Sequence, residues 1–184
     1  MNISIICVGK IKESFYRDAI AEYSKRLSGY CTFRIIEVED ESDQGFGSGD
    51  ASVILAREAE RLLKQLKPGM HVITLEIKGK KTDSEGFSKM LSDLFVSGKS
   101  DIAFIIGGSN GLDRSVSERA DQKLSFSDMT FPHQLMRVIL SEQIYRAFRI
   151  MRERLSGMAG LTSRGALGCM CRCLRAMDIW SSPV

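Results

Sequence analysis

The sequence predicts an α/β protein in which a mostly parallel sheet is flanked by helices, and two observations support this prediction. Short apolar runs alternate along the chain with longer segments of helical period, as they do in β-α-β units. One apolar run, at residues 101–106, stops at the paired glycines Gly107 and Gly108. Such a stop places bare backbone amides at the carboxyl edge of the sheet, where open α/β proteins bind their ligands.

The first two strands and the first helix are predicted within residues 3–38. Residues 3–8 are continuously apolar, which is typical of a strand covered on both faces. Residues 14–27 form a helix whose apolar stripe follows a four-residue spacing, through Phe15, Ala19, Tyr23 and Leu27. Residues 33–38 are predicted as the second strand. The acidic, glycine-rich segment 39–50 has no apolar period and is predicted to be a mobile loop.

The next helix and strand are separated by a clear turn signal. A helix is predicted over residues 51–66, and Lys67-Pro68-Gly69 closes it. Residues 71–77 are apolar enough for the third strand, and residues 84–96 have the period of the third helix.

The last part of the chain contains the fourth strand and a long final helix. The fourth strand is the apolar run at 101–106, and residues 124–126 are a candidate for a short fifth strand. Pro132 can open the final helix, since the missing N–H of proline costs nothing in the first turn.

Composition describes an ordinary globular protein. The 184 residues suffice for one domain, and 43% of them are hydrophobic and 27% charged. The net charge of +3 permits an RNA partner without requiring one. No apolar run reaches the ~20 residues that span a bilayer, and the apolar start has no preceding basic region, so it predicts a strand and no signal peptide. Five cysteines, an odd number, suggest reduced thiols in a cytoplasmic protein.

The glycine-rich segment after the fourth strand fits neither common nucleotide motif. Gly111 is followed by Leu112-Asp113, where a P-loop needs Lys and Ser or Thr. The dinucleotide motif belongs in the first βα turn and has a different glycine spacing. An isolated Gly-Gly is usually only a turn. A second backbone-rich loop at residues 125–131 favours a functional interpretation, because two loops at one sheet edge can hold an adenine by main-chain hydrogen bonds.

Several longer motifs stand in a fixed order: Val8-Gly9-Lys10, Glu22-Tyr23 with Lys25-Arg26-Leu27, Ile73-Thr74-Leu75-Glu76-Ile77-Lys78-Gly79-Lys80, Ile105-Ile106-Gly107-Gly108-Ser109-Asn110-Gly111, Leu124-Ser125-Phe126-Ser127, Met129-Thr130-Phe131-Pro132-His133-Gln134, Arg137-Val138, and Glu142-Gln143-Ile144-Tyr145-Arg146-Ala147-Phe148. Together they resemble the RlmH family, the pseudouridine N3-methyltransferases of the large ribosomal subunit, in the SPOUT class. The resemblance covers about residues 1–152.

The resemblance implies a SPOUT-type, trefoil-knotted α/β fold with a mostly parallel sheet flanked by helices. Pattern alone predicts an unknotted, doubly wound sheet, because true knots are rare. The resemblance also implies S-adenosylmethionine as methyl donor, no metal, and a homodimer with each active site at the subunit interface. The implied substrate is N3 of a pseudouridine in 23S rRNA, methylated in the assembled ribosome, with no DNA or membrane partner.

The donor pocket of the family falls on one strand residue, one glycine and one loop of this chain. An apolar strand end can pack on a purine, glycine lets backbone approach a ligand closely, and the loop offers main-chain donors between apolar walls. The residues concerned are Leu75, Gly107, Phe126, Ser127, Asp128, Met129, Thr130 and Phe131.

Two residues at the start of the final helix are the candidates for catalysis. The methyl carbon of the donor is already electrophilic, so alignment matters most, and the imide proton of the pseudouridine must leave. His133 can accept that proton, or can be a helix-start histidine that bonds backbone. Arg137 can stabilise negative charge on the imide, or can bind phosphate or a carboxylate such as Glu142 across the dimer.

Two groups of cations are candidates for RNA contact. Lys78, Lys80 and Lys81 lie in the chain close to Leu75, where phosphate contacts predict salt-sensitive binding. Arg146 and Arg149 share a helix and can face RNA, although such charges usually belong to a solvated face.

Residues 153–184 depart from the family, whose members end in a short tail containing Tyr-His. We therefore predict a methyltransferase domain over 1–152 and an atypical, loosely ordered tail over 153–184. Cys169, Cys171 and Cys173 are spaced by one residue, which does not suit a structural zinc site. A frameshifted or read-through tail is the favoured hypothesis, and family motifs one reading frame over would support it. The alternative is a basic RNA-binding extension with Arg164, Arg172 and Arg175.

Two further functions remain open at this point. The protein can bind S-adenosylmethionine and ribosomes with activity lost or reduced because its tail is altered. It can also be another α/β nucleotide binder, such as an oxidoreductase, which dependence on NAD would reveal.

Overall fold

The computed structural model describes residues 1–41 and 51–159, which form a sheet with helices on both faces. The strands are β1 (Asn2–Val8), β2 (Thr32–Val38), β3 (His71–Lys81), β4 (Asp101–Ile106) and β5 (Gln122–Ser125). The helices are α1 (Ser14–Leu27), α2 (Ala51–Lys64), α3 (Ser84–Val96), α4 (Arg114–Arg119) and α5 (His133–Ala159).

All strand pairs of the sheet are parallel, in the order β2-β1-β4-β3-β5. The predicted α/β fold with a parallel sheet is therefore confirmed. Parallel strands place all their carboxyl ends at one edge, so the loops that follow β4, β3 and β5 are neighbours there. The trefoil knot itself is a property of the SPOUT class that the resemblance implies.

Two hydrophobic cores cover the two faces of the sheet. The apolar residues of β1 alternate between them, as the two-residue period of a strand requires. On one face α1, α3 and α5 pack over Ile3, Ile5 and Cys7. On the other face α2 and α4 pack over Ile6 and Val8. The predicted burial of this strand on both faces is thus confirmed.

Most element boundaries agree with the predictions, and the differences have local causes. The strand β3 continues to Lys81, beyond the predicted end at residue 77. The helix α4 was not predicted, because six residues are too few for an apolar period, although Asp113 caps it by accepting from the Ser115 amide at 2.8 Å. The strand β5 lies over Gln122–Ser125 and so begins before residue 124.

The predicted apolar stripe of α1 is wrong at Phe15, which is 60% exposed and rests against the Tyr16 ring, with the ring centroids 4.2 Å apart. An α-helix has 3.6 residues per turn, so each four-residue step overshoots a turn by about 40°. Three such steps rotate Phe15 about 120° away from Leu27, which is the buried residue of this helix.

The long helix α5 begins directly after Pro132, whose carbonyl accepts from the Met136 amide at 2.9 Å. The helix continues through the predicted domain boundary at 152 and reaches Ala159. The predicted loop at 42–50 and the tail from 160, with its cysteines and arginines, lie outside the described residues. No helix within 1–41 and 51–159 is long and apolar enough to cross a membrane.

Candidate functional site

The candidate donor site lies at the carboxyl edge of the sheet, where the loops after β4 and β5 flank the end of β3. The last pair between β3 and β4 is Thr74 with Ile105, and on its other side β3 pairs through Leu75 with Leu124. The strand β4 ends at Ile106, one residue after the first of these pairs, so Gly107 follows directly at this edge. The structure therefore brings together the two loops that the sequence singled out.

The glycine loop after β4 is shaped by contacts that exclude side chains. A Cβ atom added at Gly107 would lie 2.3 Å from the carbonyl oxygen of Gly111, closer than real atoms approach. Gly111 has a φ of +87°, which favours glycine, and its amide donates to the Gly108 carbonyl at 3.1 Å. These glycines therefore form a tight turn, because a side chain at Gly107 would clash with the backbone of Gly111.

The loop after β5 is fixed at its start and open at its tip. Phe126 is half-buried and meets Phe87 edge-on, with the ring centroids 6.0 Å apart. Ser127 accepts a hydrogen bond on its carbonyl from the Ser125 hydroxyl at 3.1 Å, and its own hydroxyl accepts from the Met129 amide at 2.9 Å. Two serine hydroxyls thus stabilise the backbone of this loop.

The tip of the same loop is accessible from solvent. Met129 is 74% exposed, Thr130 is also exposed, and Phe131 is half-buried. The Asp128 carboxylate pairs with the Lys81 ammonium, so it contacts the far end of β3. The loop therefore presents a large, flexible apolar side chain beside its main chain.

The strand β3 wraps around the start of this loop. Leu75 is half-buried against the core on the α5 face. Both Leu75 and Lys80 pair with Leu124, so residues 76–79 form a bulge between them. A Cβ at Gly79 would lie 2.5 Å from the Leu124 carbonyl carbon, so glycine is required where the bulge crosses β5.

His133 lies at the first turn of α5 and is half-buried. Burial lowers the pKa of its imidazole below the ordinary value, and the Arg137 guanidinium lowers it further, while Asp40 and Glu13 oppose the shift. The ring is therefore neutral at about pH 7 and able to accept a proton.

Arg137 lies one turn beyond His133 and is completely buried. Its Nη1 donates to Glu37 Oε1 at 3.0 Å, and its Nη2 donates to the Val8 carbonyl at 2.6 Å. Its Nε is buried without a hydrogen-bond partner among the described residues. The ion-pair role weighed for Arg137 is thus present within one chain, with Glu37 as its partner.

Glu37 is a residue that the sequence did not single out. It lies on the edge strand β2 and also accepts from the Ile11 amide at 3.1 Å. Gln134 similarly accepts from the Lys12 amide at 3.2 Å. The loop after β1 is therefore held against the start of α5, close to His133. Glu37 was hard to recognise from the sequence, because an acidic residue that alternates with apolar residues along a strand usually marks only a solvent-facing position.

The predicted cations are all exposed, and several have partners. Lys78 and Lys80 lie on the β3 extension and form no ion pair within the described part of the chain, in contrast to Lys81. Arg146 pairs with Glu142 at 2.5 Å and Arg149 with Glu153 at 3.4 Å, each along one helix. Lys78 and Lys80 are therefore the cations of this set without an ion pair among the described residues.

Both described cysteines are poor nucleophiles, because they remain protonated thiols at neutral pH. Burial raises the pKa of both thiols to about 12, for Cys7 in β1 and for Cys31 before β2. Among residues 1–41 and 51–159, no three His, Cys, Asp or Glu side chains are grouped closely enough to hold a metal ion.

Comparisons with known proteins show what this chain is similar to. A family model described as "Predicted SPOUT methyltransferase" matches residues 1–155. The chain is 62% identical over 152 residues to a "Putative ribosomal RNA large subunit methyltransferase H" of Methanococcus maripaludis, covering 82% of this chain and 96% of the relative. It is 53% identical over 153 residues to the "Ribosomal RNA large subunit methyltransferase H" of Clostridium kluyveri, covering 83% and 96%.

Among solved structures, a "probable methylase family protein" from Haemophilus influenzae Rd KW20 superposes with a TM-score of 0.50 at 11% identity. The match covers 98% of this chain and 82% of that one. A likeness at this level of identity concerns the fold alone.

Proposed function

Because the chain belongs to the SPOUT methyltransferase family, among the relatives of ribosomal RNA large subunit methyltransferase H, we propose that it is an rRNA methyltransferase. In detail, it transfers a methyl group from S-adenosylmethionine to N3 of a pseudouridine in 23S rRNA of the assembled ribosome. The observation that carries the proposal is the pair of backbone-rich loops at one sheet edge, inside the segment that matches the family.

The donor binds between the two loops in this proposal. Gly107 and the main chain of residues 126–131 hold the adenine by hydrogen bonds, with Leu75 and Phe126 as apolar walls. The bare backbone of the glycine turn and the serine-stabilised loop support this role, since intramolecular contacts fix the main chain of both. Met129 can fold over the bound donor, because its side chain is largely exposed and flexible.

The donor supplies an electrophilic methyl carbon. The bond from sulfur to this carbon breaks as the bond from pseudouridine N3 to the carbon forms, and the electron pair stays on sulfur. The N3 proton goes to His133 in the proposal, because its lowered pKa keeps the imidazole neutral and ready to accept. Arg137 lies one turn away and acts by position, as it orients the loop after β1 and favours the neutral form of His133.

The RNA approaches the same edge and is held partly by phosphate contacts. Lys78 and Lys80 are exposed beside the donor loops without an intramolecular ion pair, so they are free to bind phosphates. We also propose a homodimer in the cytoplasm in which the partner helps to cover the open donor edge.

Transfer of labelled methyl from S-adenosylmethionine to ribosomes tests this proposal. Ribosomes come from cells that lack the modification, and the label is mapped in the rRNA. We expect one labelled pseudouridine in 23S rRNA. Tight donor and ribosome binding without label would instead favour a binding protein whose activity is lost with its altered tail. Absence of donor binding would overturn the proposal.

A further inference from the structure

Glu76 occupies the position between the two donor loops. It directly follows Leu75 at the carboxyl end of β3 and is the first residue of the bulge. The last pair of β3 with β4 is Thr74 with Ile105, two residues before Glu76 on one strand and two residues before Gly107 on the other. Leu75 pairs with Leu124, two residues before Phe126, and the register shifts after this pair, so that Lys81 pairs with Ser125. Glu76 therefore follows the last residues of β3 that pair with the two strands preceding the donor loops.

One oxygen of Glu76 is used inside the protein and the other is not. Its Oε1 accepts from the Thr74 hydroxyl at 2.7 Å and from the Ser117 hydroxyl at 2.9 Å. Its Oε2 forms no hydrogen bond with any described residue. This oxygen is not fully buried, so it reaches solvent. Two hydroxyls thus fix the carboxylate and leave one acceptor oxygen directed outward.

No cation within residues 1–41 and 51–159 forms an ion pair with this half-buried carboxylate. The nearby Lys123 ammonium donates to the Ser117 hydroxyl at 2.5 Å instead. A purely structural link between β3 and α4 needs only the oxygen that is already engaged, and a glutamine would serve it equally well. The free oxygen is therefore available to accept a hydrogen bond from an external donor group.

We propose that Glu76 Oε2 accepts hydrogen bonds from the ribose hydroxyls of the methyl donor, an inference that rests on the proposed function. The two loops on either side of Glu76 hold the adenine in that proposal, and the ribose is the group bonded directly to the adenine. A pair of neighbouring hydroxyls suits a single carboxylate oxygen, as acidic residues in other α/β folds bind ribose. The α-ammonium group of the donor is the competing partner for this oxygen. Two ligands, one with and one without the ammonium group, distinguish a ribose contact from an ammonium contact.

Calorimetric binding of two ligands to the full chain provides the test. S-Adenosylhomocysteine has adenine, ribose and amino acid, whereas 5′-methylthioadenosine has the same adenine and ribose without the amino acid. Glu76→Gln keeps an acceptor for the Thr74 and Ser117 hydroxyls and replaces the free oxygen by a donor. We expect it to weaken both ligands by the same factor, about tenfold or more. Glu118→Gln, an exposed carboxylate on α4 paired with Arg114, is the matched control.

A ligand-side measurement keeps the inference testable even if Glu76→Gln folds poorly. The 2′,3′-dideoxy form of 5′-methylthioadenosine should bind the unaltered protein about tenfold or more weakly than the parent ligand. In the variant, removal of the hydroxyls should cost much less, because their acceptor is already gone.

Three outcomes overturn the assignment or its premise. Equal binding of both ligands by Glu76→Gln and the unaltered protein overturns a role for Glu76. Weakening of S-adenosylhomocysteine alone assigns Glu76 to the ammonium and overturns the ribose contact. Failure of the unaltered protein to bind either ligand overturns the proposed function itself, which distinguishes that failure from the other two.

Discussion

At the scale of single residues, the candidate site depends on a few residues whose conformation or charge is set by their immediate neighbours. Gly107 cannot carry a side chain because the Gly111 carbonyl occupies the space. His133 is kept neutral by burial and by the neighbouring Arg137. Glu76 is fixed through one oxygen and free at the other. Each position has a defined chemical consequence that a single substitution can test.

Gly107→Ala should displace the glycine loop, because its new Cβ would lie 2.3 Å from the Gly111 oxygen. We expect a loss of stability of about 1–3 kcal/mol and binding of S-adenosylhomocysteine weakened at least about tenfold. Denaturant unfolding and calorimetry measure the two effects. Gly29→Ala is the control, since a Cβ there meets nothing within 4 Å. Unchanged donor affinity in Gly107→Ala would contradict the proposed place of the donor.

His133→Asn should reduce kcat by about 10²–10⁴-fold if the imidazole accepts the proton. The neutral ring is the active form, and its pKa is lowered, so the rate should fall only as the pH drops through that lowered pKa and stay level at about pH 7 and above. In the variant, the rate should no longer fall at acidic pH. His71→Asn, at the only other histidine, should keep it. An unchanged pH profile in His133→Asn would assign the proton to another acceptor.

At the scale of secondary-structure elements, a buried ion pair joins three of them. Arg137 on α5 reaches Glu37 on β2 and the last carbonyl of β1, although 100 residues separate Arg137 from Glu37. The same Glu37 oxygen holds the amide of Ile11 in the loop after β1. This contact therefore fixes the loop, the edge strand and the start of the final helix relative to one another.

Removing one partner of this ion pair should lower the free energy of unfolding more than removing the other. Glu37→Ala leaves a completely buried guanidinium without its counter-charge, so we expect a loss of about 3–5 kcal/mol in the free energy of unfolding. Arg137→Met leaves a carboxylate that is 31% exposed and can be hydrated, so the loss should be smaller, about 1–3 kcal/mol. Urea unfolding of both variants measures the difference. The reverse order would mean that Glu37 contributes mainly through its bond to the Ile11 amide.

At the scale of the whole molecule, the two faces of the sheet are covered by helices while the donor edge stays open. Helices α1, α3 and α5 cover one face and α2 and α4 the other. Met129 and Ile77 remain exposed close to that edge, at 74% and 53%. An open apolar edge beside a candidate site is consistent with the proposed homodimer, in which a second chain covers it.

We expect sedimentation to give a mass of about twice 20.5 kDa. If the partner helps to cover the donor edge, the specific activity should fall when the protein is diluted below the dissociation constant of the dimer. Equilibrium sedimentation and methyl transfer over one dilution series measure both. A monomer with full activity would contradict the proposed role of the partner.

Much of the fold was predictable because it depends on short-range patterns. Three local patterns predict conformations that the structure contains: the apolar run of β1, the turn after α2 and the glycines after β4. The family was equally predictable, since long motifs stand in order along the chain. The assignments of His133, Arg137 and the donor residues to their roles stay proposals. The exposed Phe15 and the six-residue α4 were missed, because a stripe drifts and a short helix has no period.

The sequence alone thus determined the alternation of strands and helices, the two backbone-rich loops and the family. Only the tertiary structure decided which distant groups meet: Arg137 with Glu37, Lys81 with Asp128, and Glu76 with Ser117 between the two loops. The physical reason is that periodicity reports which face of an element is buried, whereas such meetings depend on strand order and register. These are set by packing across the whole sheet, and no local pattern encodes them.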